Sequence, residues 1–133
     1  MSAVFADTFY FLGLNNTGDA AHSRCADFAR VFRGRLVTTN LVLLELANSS
    51  ARPPHRQRTA AYIRLLRADP QVEVVEVSAT LFDQGLELYR QHADKDWSLT
   101  DCISFIVMRG AGIAEVATGD HHFEQAGFTV LLK

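Results

Sequence analysis

Apolar and polar positions along this chain follow two periods, and the changes from one to the other mark its elements. Five short runs rich in apolar and β-branched residues read as strands: AVFA (3–6), RLVTT (35–39), VEVVEV (72–77), IAEVAT (113–118) and FTVLL (128–132). The third alternates valine with glutamate, the mark of a half-exposed or edge strand. Between the runs lie helical patterns. Residues 18–33 set Ala21, Cys25, Phe28, Ala29 and Phe32 on one face. NLVLLELAN follows the second strand directly. Residues 53–68 open on Pro53-Pro54 and carry Tyr62, Ile63, Leu65 and Leu66 among arginines. SATLFDQGLELYRQH starts at Ser78 as a cap and repeats Leu81, Phe82, Leu86 and Tyr89 at helical spacing. SLTDCISFIVMRGAG has a capping-box pattern at Ser98–Asp101 and ends in glycines, and DHHFEQAG is a short helix between Asp120 as cap and Gly127 as stop. This rhythm predicts an α/β fold: one domain over residues 1–133, doubly wound, with a mainly parallel five-stranded sheet and helices on both faces.

Composition adds exclusions. No apolar run approaches the ~20 residues that span a bilayer, so no membrane partner is expected. The start, MSAVFADTFYFLGL, has no basic residue and carries an Asp, unlike a signal peptide. Cys25 and Cys102 are too few for a disulfide framework and lack metal-type spacing, which fits a reduced, cytoplasmic setting. The net charge of −2 hides a strong asymmetry, because Phe28–Ala68 contains eight arginines and a single acid, Glu45. Such polarity suits a polyanion gripped on one side and a cation pocket on the other. Arg52, Arg56 and Arg58 are candidates for phosphate contacts. The alternative is a solvated helical face whose arginines pair with acids elsewhere.

Ligands of doubly wound sheets gather outside the carboxyl ends of the strands. Asp7 follows the first strand, and Asp120 follows the fourth across Gly119. Asp101 lies in the first turn of the helix leading to the fourth strand. Glu45 sits about one and a half turns into the helix after the second, with no Lys or Arg at helical spacing to pair with it. Each Asp has an ordinary alternative as a helix cap, worth about 1 kcal/mol, and the alternative for Glu45 is solvent exposure. Together they say more. Two carboxylates ~4 Å apart repel by about 4 kcal/mol at an effective dielectric near 20, so a cluster demands a cation. An all-oxygen ligand set selects Mg²⁺ or Mn²⁺ over zinc.

FADT at the start, TTNLVLLE before Glu45, DWSLTDCISF around Asp101 and ATGDHHFEQAGF around Asp120 resemble the four acidic motifs of PIN-domain ribonucleases, in family order and over nearly the whole chain. The likeness is closest to VapC-type toxins of toxin–antitoxin pairs. It implies a three-layer α/β/α sandwich, with Asp7, Glu45, Asp101 and Asp120 as metal-binding catalytic residues. It further implies cleavage of RNA to 5′-phosphate and 3′-hydroxyl ends, a cognate antitoxin that pushes a side chain into the acidic pocket, and a homodimer.

Thr8, Ser104 and Thr118 are candidates to support the acids through hydrogen bonds, Ser104 because it follows Asp101 by one helical turn. Asp96 is an accessory acid or a surface charge, the latter favoured, and Trp97 could stack on a base but reads better as a cap on the core. Adjacent helix positions diverge, so His121 and His122 are not expected to share a metal. Phe9, Tyr10 and Phe11 read as core or dimer surface. A haloacid-dehalogenase-type phosphatase needs a second Asp where Phe9 stands, and a phosphoreceiver needs an acid pair and a late lysine that are missing. The remaining rival is a PIN-like module that binds RNA or protein without cutting.

Overall fold

The computed structural model describes residues 2–133. Five strands, β1 (Ala3–Ala6), β2 (Arg35–Thr39), β3 (Val72–Val75), β4 (Glu115–Ala117) and β5 (Thr129–Val130), form one all-parallel sheet in the order β3-β2-β1-β4-β5. The chain therefore begins at the centre of the sheet, winds outward to β3, then returns to build β4 and β5 on the other side. Its winding reverses between β1 and β4, which pair Phe5 with Val116 and Ala6 with Ala117. β1 is apolar throughout because both faces are covered: Val4, Phe5 and Ala6 are each at most 2% exposed. β3, at an edge, keeps the expected alternation, with Glu73 outward and paired to Arg35.

Seven helices cover the sheet: α1 (Thr8–Asn15), α2 (His22–Val31), α3 (Asn40–Ser49), α4 (His55–Ala68), α5 (Ala79–Gln91), α6 (Leu99–Ala111) and α7 (His121–Gln125). They pack in two groups. α1 contacts α2 and α3, and α3 contacts α4, while α6 packs against α5 and α7. No helix among the described residues is long and apolar enough to cross a membrane.

Departures from the sequence reading have local causes. α2 begins at His22 rather than residue 18, because Asn16 accepts from the Gly18 N–H and Asp19 from the Ala21 N–H, holding the preceding residues in turns. α1, TFYFLGLN, is apolar on nearly every side and so carries no helical stripe. β5 is only two residues long, yet Leu131 and Leu132 continue its direction by donating to the Val116 and Thr118 carbonyls.

An aromatic cluster fixes α6 and α7 against the sheet. Phe105 lies edge-to-face with Trp97 at 5.1 Å and with Phe123 at 5.0 Å, and such pairs add about 0.5–1.5 kcal/mol each beyond burial. Phe105 is one turn after Asp101 and Phe123 three residues after Asp120, so the core contacts that hold these helices also hold the acids.

α5 and α6 pack tightly against each other at Gly85. A Cβ there would lie 2.3 Å from Ile103 Cγ1 and 3.1–3.2 Å from the Ile103 backbone. Gly110, later in α6, has nothing within 4 Å of the same position. Alanine favours a helix interior by about 1 kcal/mol over glycine, but at position 85 the clash outweighs this. Gly85→Ala is expected to destabilise the protein by about 1–3 kcal/mol, and Gly110→Ala to stabilise it by up to about 1 kcal/mol. Urea unfolding of the two variants checks the opposite signs.

Candidate active site

Where the winding reverses, the carboxyl ends of β1 and β4 open onto a shallow cleft of about 420 Å³ lined by Asp7, Glu45, Asp101 and Asp120. Four separate segments supply these acids. Among the described residues no lysine or arginine lies within 4 Å of any of the four carboxylates.

Asp7 follows β1 with an extended backbone and stands at the N-cap of α1, yet its side chain makes no capping bond. Its Oδ2 accepts instead from the Thr118 hydroxyl at 3.0 Å. Only 6% of Asp7 is exposed. Burial, then the charge of Asp101 and more weakly that of Asp120, push its carboxyl from 3.8 up to about 7 against the lowering effect of its hydrogen bonds. The Thr118 hydroxyl also accepts from the Asp120 N–H at 3.1 Å, so one buried threonine ties both strand-end acids together. Gly119 between them is there for space: a Cβ would meet Phe9 Cζ at 2.5 Å and the Leu132 carbonyl oxygen at 3.0 Å.

Asp101 and Asp120 serve as caps as well. Asp101 completes the capping box, accepting from the Ser98 N–H at 3.2 Å while its own N–H donates to Ser98 Oγ at 3.0 Å. Burial raises its pKa, helped by the charges of Asp120 and Glu45 and opposed by the Ser98 bond and His122. Asp120 Oδ1 accepts from the His122 N–H at 3.0 Å to cap α7. Glu45 is half-buried, and its partner is the Thr8 hydroxyl, which donates to Oε1 at 2.5 Å.

Of the supporting candidates, Thr8 and Thr118 bond to the acids. Ser104 does not: it is 1% exposed and its Oγ has no hydrogen-bond partner among the described residues. Arg52 and Arg56 are exposed and line neither this cleft nor its neighbour, and Arg58 lines the neighbouring cleft. Arg30, Arg35 and Arg67 pair with acids, as the solvated-face alternative expected. Trp97 is buried and donates to Gln125. Tyr10 and Phe11 are core, while Phe9 joins the cleft lining.

Asp96, the surface charge of the sequence reading, is exposed and also lines the cleft. His122 is the surprise, its Nδ1 lying 3.3 Å from both Asp101 Oδ2 and Asp120 Oδ1. The first turn of α7 folds it back over its own cap, a signal present in the spacing from Asp120. The rings of His121 and His122 do not diverge, with centroids 4.5 Å apart. Donor atoms of Asp120, His121 and His122 lie within 4.8 Å of one another, close enough to share an ion. Carboxylates without lysine or arginine partners, two of them pushed toward protonation, make a donor set suited to a hard divalent cation.

A carboxyl whose pKa rises on folding stabilises the fold while protonated. For Asp7 that contribution is complete below 3.8 and is lost as pH rises through about 7. In metal-free protein, Asp7→Asn is therefore expected to gain stability over the parent across that window, by up to about 4 kcal/mol. Added Mg²⁺ or Mn²⁺ is expected to stabilise the parent selectively. Melting curves in EDTA and in metal, from pH 4 to pH 8, check both signs.

Comparison with known proteins places this geometry. The chain is 33% identical over 126 residues to the 23S rRNA-specific endonuclease VapC20 of Mycobacterium tuberculosis, covering 94% of this chain and 95% of that one. The crystal structure of that protein, described as a sarcin-ricin loop cleaving toxin, superposes with a TM-score of 0.87 at 31% identity, over 95% of this chain and 96% of the other. FitAcB of Neisseria gonorrhoeae shares the fold at 14% identity, with a TM-score of 0.68 over 96% of each chain. Residues 4–129 match the PIN domain family, and the chain belongs to it.

Proposed function

We propose that this PIN domain is an Mg²⁺- or Mn²⁺-dependent endoribonuclease and the toxin of a toxin–antitoxin pair. The observation that carries the reading is the convergence of Asp7, Glu45, Asp101 and Asp120 on one cleft without a lysine or arginine partner among the described residues. Those four carboxylates are the metal ligands in this reading. A bound dication supplies a water of lowered pKa and charge stabilisation for the scissile phosphodiester. The protein's own part is positioning. Thr8 holds Glu45, Thr118 holds Asp7, and the Ser98 and His122 N–H groups hold Asp101 and Asp120, so each carboxylate keeps an oxygen for the cleft. With all four fixed in advance, little reorganisation remains when substrate arrives. The named activity of VapC20 makes 23S rRNA the first substrate to test.

The antitoxin belongs to the same reading and is expected to cover the acidic cleft. So does a homodimer. Leu44 is 55% exposed, Phe82 41% and Leu86 45%. Leu44 and Phe82 flank an apolar groove between α3, α5 and α6 next to Glu45. Apolar area of this kind supports a second copy of the chain as its cover.

Two experiments test these statements. Purified protein with 23S rRNA is expected to cut in Mg²⁺ or Mn²⁺ and to stop in EDTA. Thr118→Val should lower activity about 10–100-fold, and Asp7→Ala by more. Cleavage that persists in EDTA contradicts the metal mechanism, and folded protein that cuts no RNA in any metal supports a binding module instead. In light scattering the parent should run as a dimer, and a Leu44→Glu, Phe82→Glu double variant as a monomer.

A further inference from the structure

Beside the acidic cleft lies a second one of about 340 Å³, and Leu12 lines both. Three helix faces meet there. His55, Arg58, Thr59 and Tyr62 fall at i, i+3, i+4 and i+7 along α4, so they share one face. Opposite them stand Asn15 and Asn16 at the end of α1, and Ser49 and Ser50 at the end of α3. No acidic residue is among those lining it. Arg58 is exposed and makes no ion pair among the described residues, unlike Arg30, Arg35 and Arg67. The floor is apolar and aromatic: Leu12, buried Leu46, and the half-buried ring of Tyr62, edge-on to Phe11 at 6.2 Å.

The geometry points to this cleft as a subsite for the RNA strand flanking the scissile bond, with His55 and Arg58 gripping a phosphate and the Leu12–Tyr62 floor receiving its nucleotide. The inference rests on the nuclease reading and goes beyond it by naming where the strand runs. Ser49 is one helical turn from Glu45, about 6 Å along α3, so a strand whose scissile phosphate meets the acids passes directly into this cleft. The chemistry is complementary: guanidinium and imidazole donors for phosphate oxygens, asparagine amides and serine hydroxyls for base edges, and a ring for an unstacked base. A duplex would keep its bases stacked, so the ligand is single-stranded here.

The test pairs a His55→Ala, Arg58→Ala double variant with Arg64→Ala, which removes an exposed arginine of α4 outside the cleft. On 23S rRNA in Mn²⁺, the double variant should raise KM about tenfold with kcat within about twofold, and Arg64→Ala should change neither. Arg58→Lys, retaining the charge, should recover part of the loss. Binding of a short labelled single-stranded oligoribonucleotide in the Asp7→Asn background gives a second readout. The slope of log K against log salt should shrink by about 0.7 for each phosphate no longer neutralised. Unchanged KM and slope in the double variant overturn the proposal. So does normal cleavage combined with failure to retain a co-expressed antitoxin, which would assign the cleft to protein. If the parent cuts no RNA, the nuclease reading fails by itself, and the oligonucleotide slope still decides whether a strand lies here.

Discussion

The tension that organises this protein is electrostatic. Carboxylates prefer water and separation, and here four share one rim of a parallel sheet, with Asp7 and Asp101 largely shut away from solvent. Desolvation weighs most on each of those two, ahead of repulsion between neighbours. The fold imposes this geometry because its winding reverses beside β1, where two parallel strands end side by side and the following segments splay apart. A short chain must otherwise spend its core on stability, so an arrangement this unfavourable in the free protein marks the place where binding energy is to be gained.

The acids are stabilised by a small set of uncharged donors. Thr118 is the most economical of them, since one hydroxyl donates to Asp7 and accepts from the Asp120 backbone. Thr8 does the same service for Glu45. These bonds fix direction without neutralising charge, which leaves the attraction for a cation intact. An arginine at either position would have relieved the repulsion and closed the site. Arg52, Arg56 and Arg58, which pair with no acid among the described residues, stand instead on α4 and the turn before it, where they can attract a polyanion without competing for the carboxylates.

Much of this was legible in the sequence. The strands at 3–6 and 35–39 are where the apolar runs put them, and the caps at Ser78, Ser98 and Asp120 are used as their spacing indicated. Convergence of the acids followed from strand ends and winding. What escaped was whatever depended on side-chain direction or tertiary competition. α1 has no periodic stripe to read, and Asx turns trimmed α2. Ser104 shares helical spacing with Asp101 but makes no bond to the acids, because spacing fixes a face and not a partner. His122 escapes the sequence because adjacent helix positions ordinarily diverge, a rule that weakens in a first turn folded over its own cap.

The dual employment of two of the acids has an evolutionary corollary. Asp101 and Asp120 hold helix N-termini together whether or not any chemistry takes place, so selection for folding alone would retain them. Asp7 closes no cap, and Glu45 sits mid-helix with no stabilising counter-charge. Released from nucleolytic duty, a descendant of this chain would lose those two first. Among related sequences, a hydrophobic or amide residue at either position is thus the diagnostic of a silenced copy, even where the later pair survives unchanged.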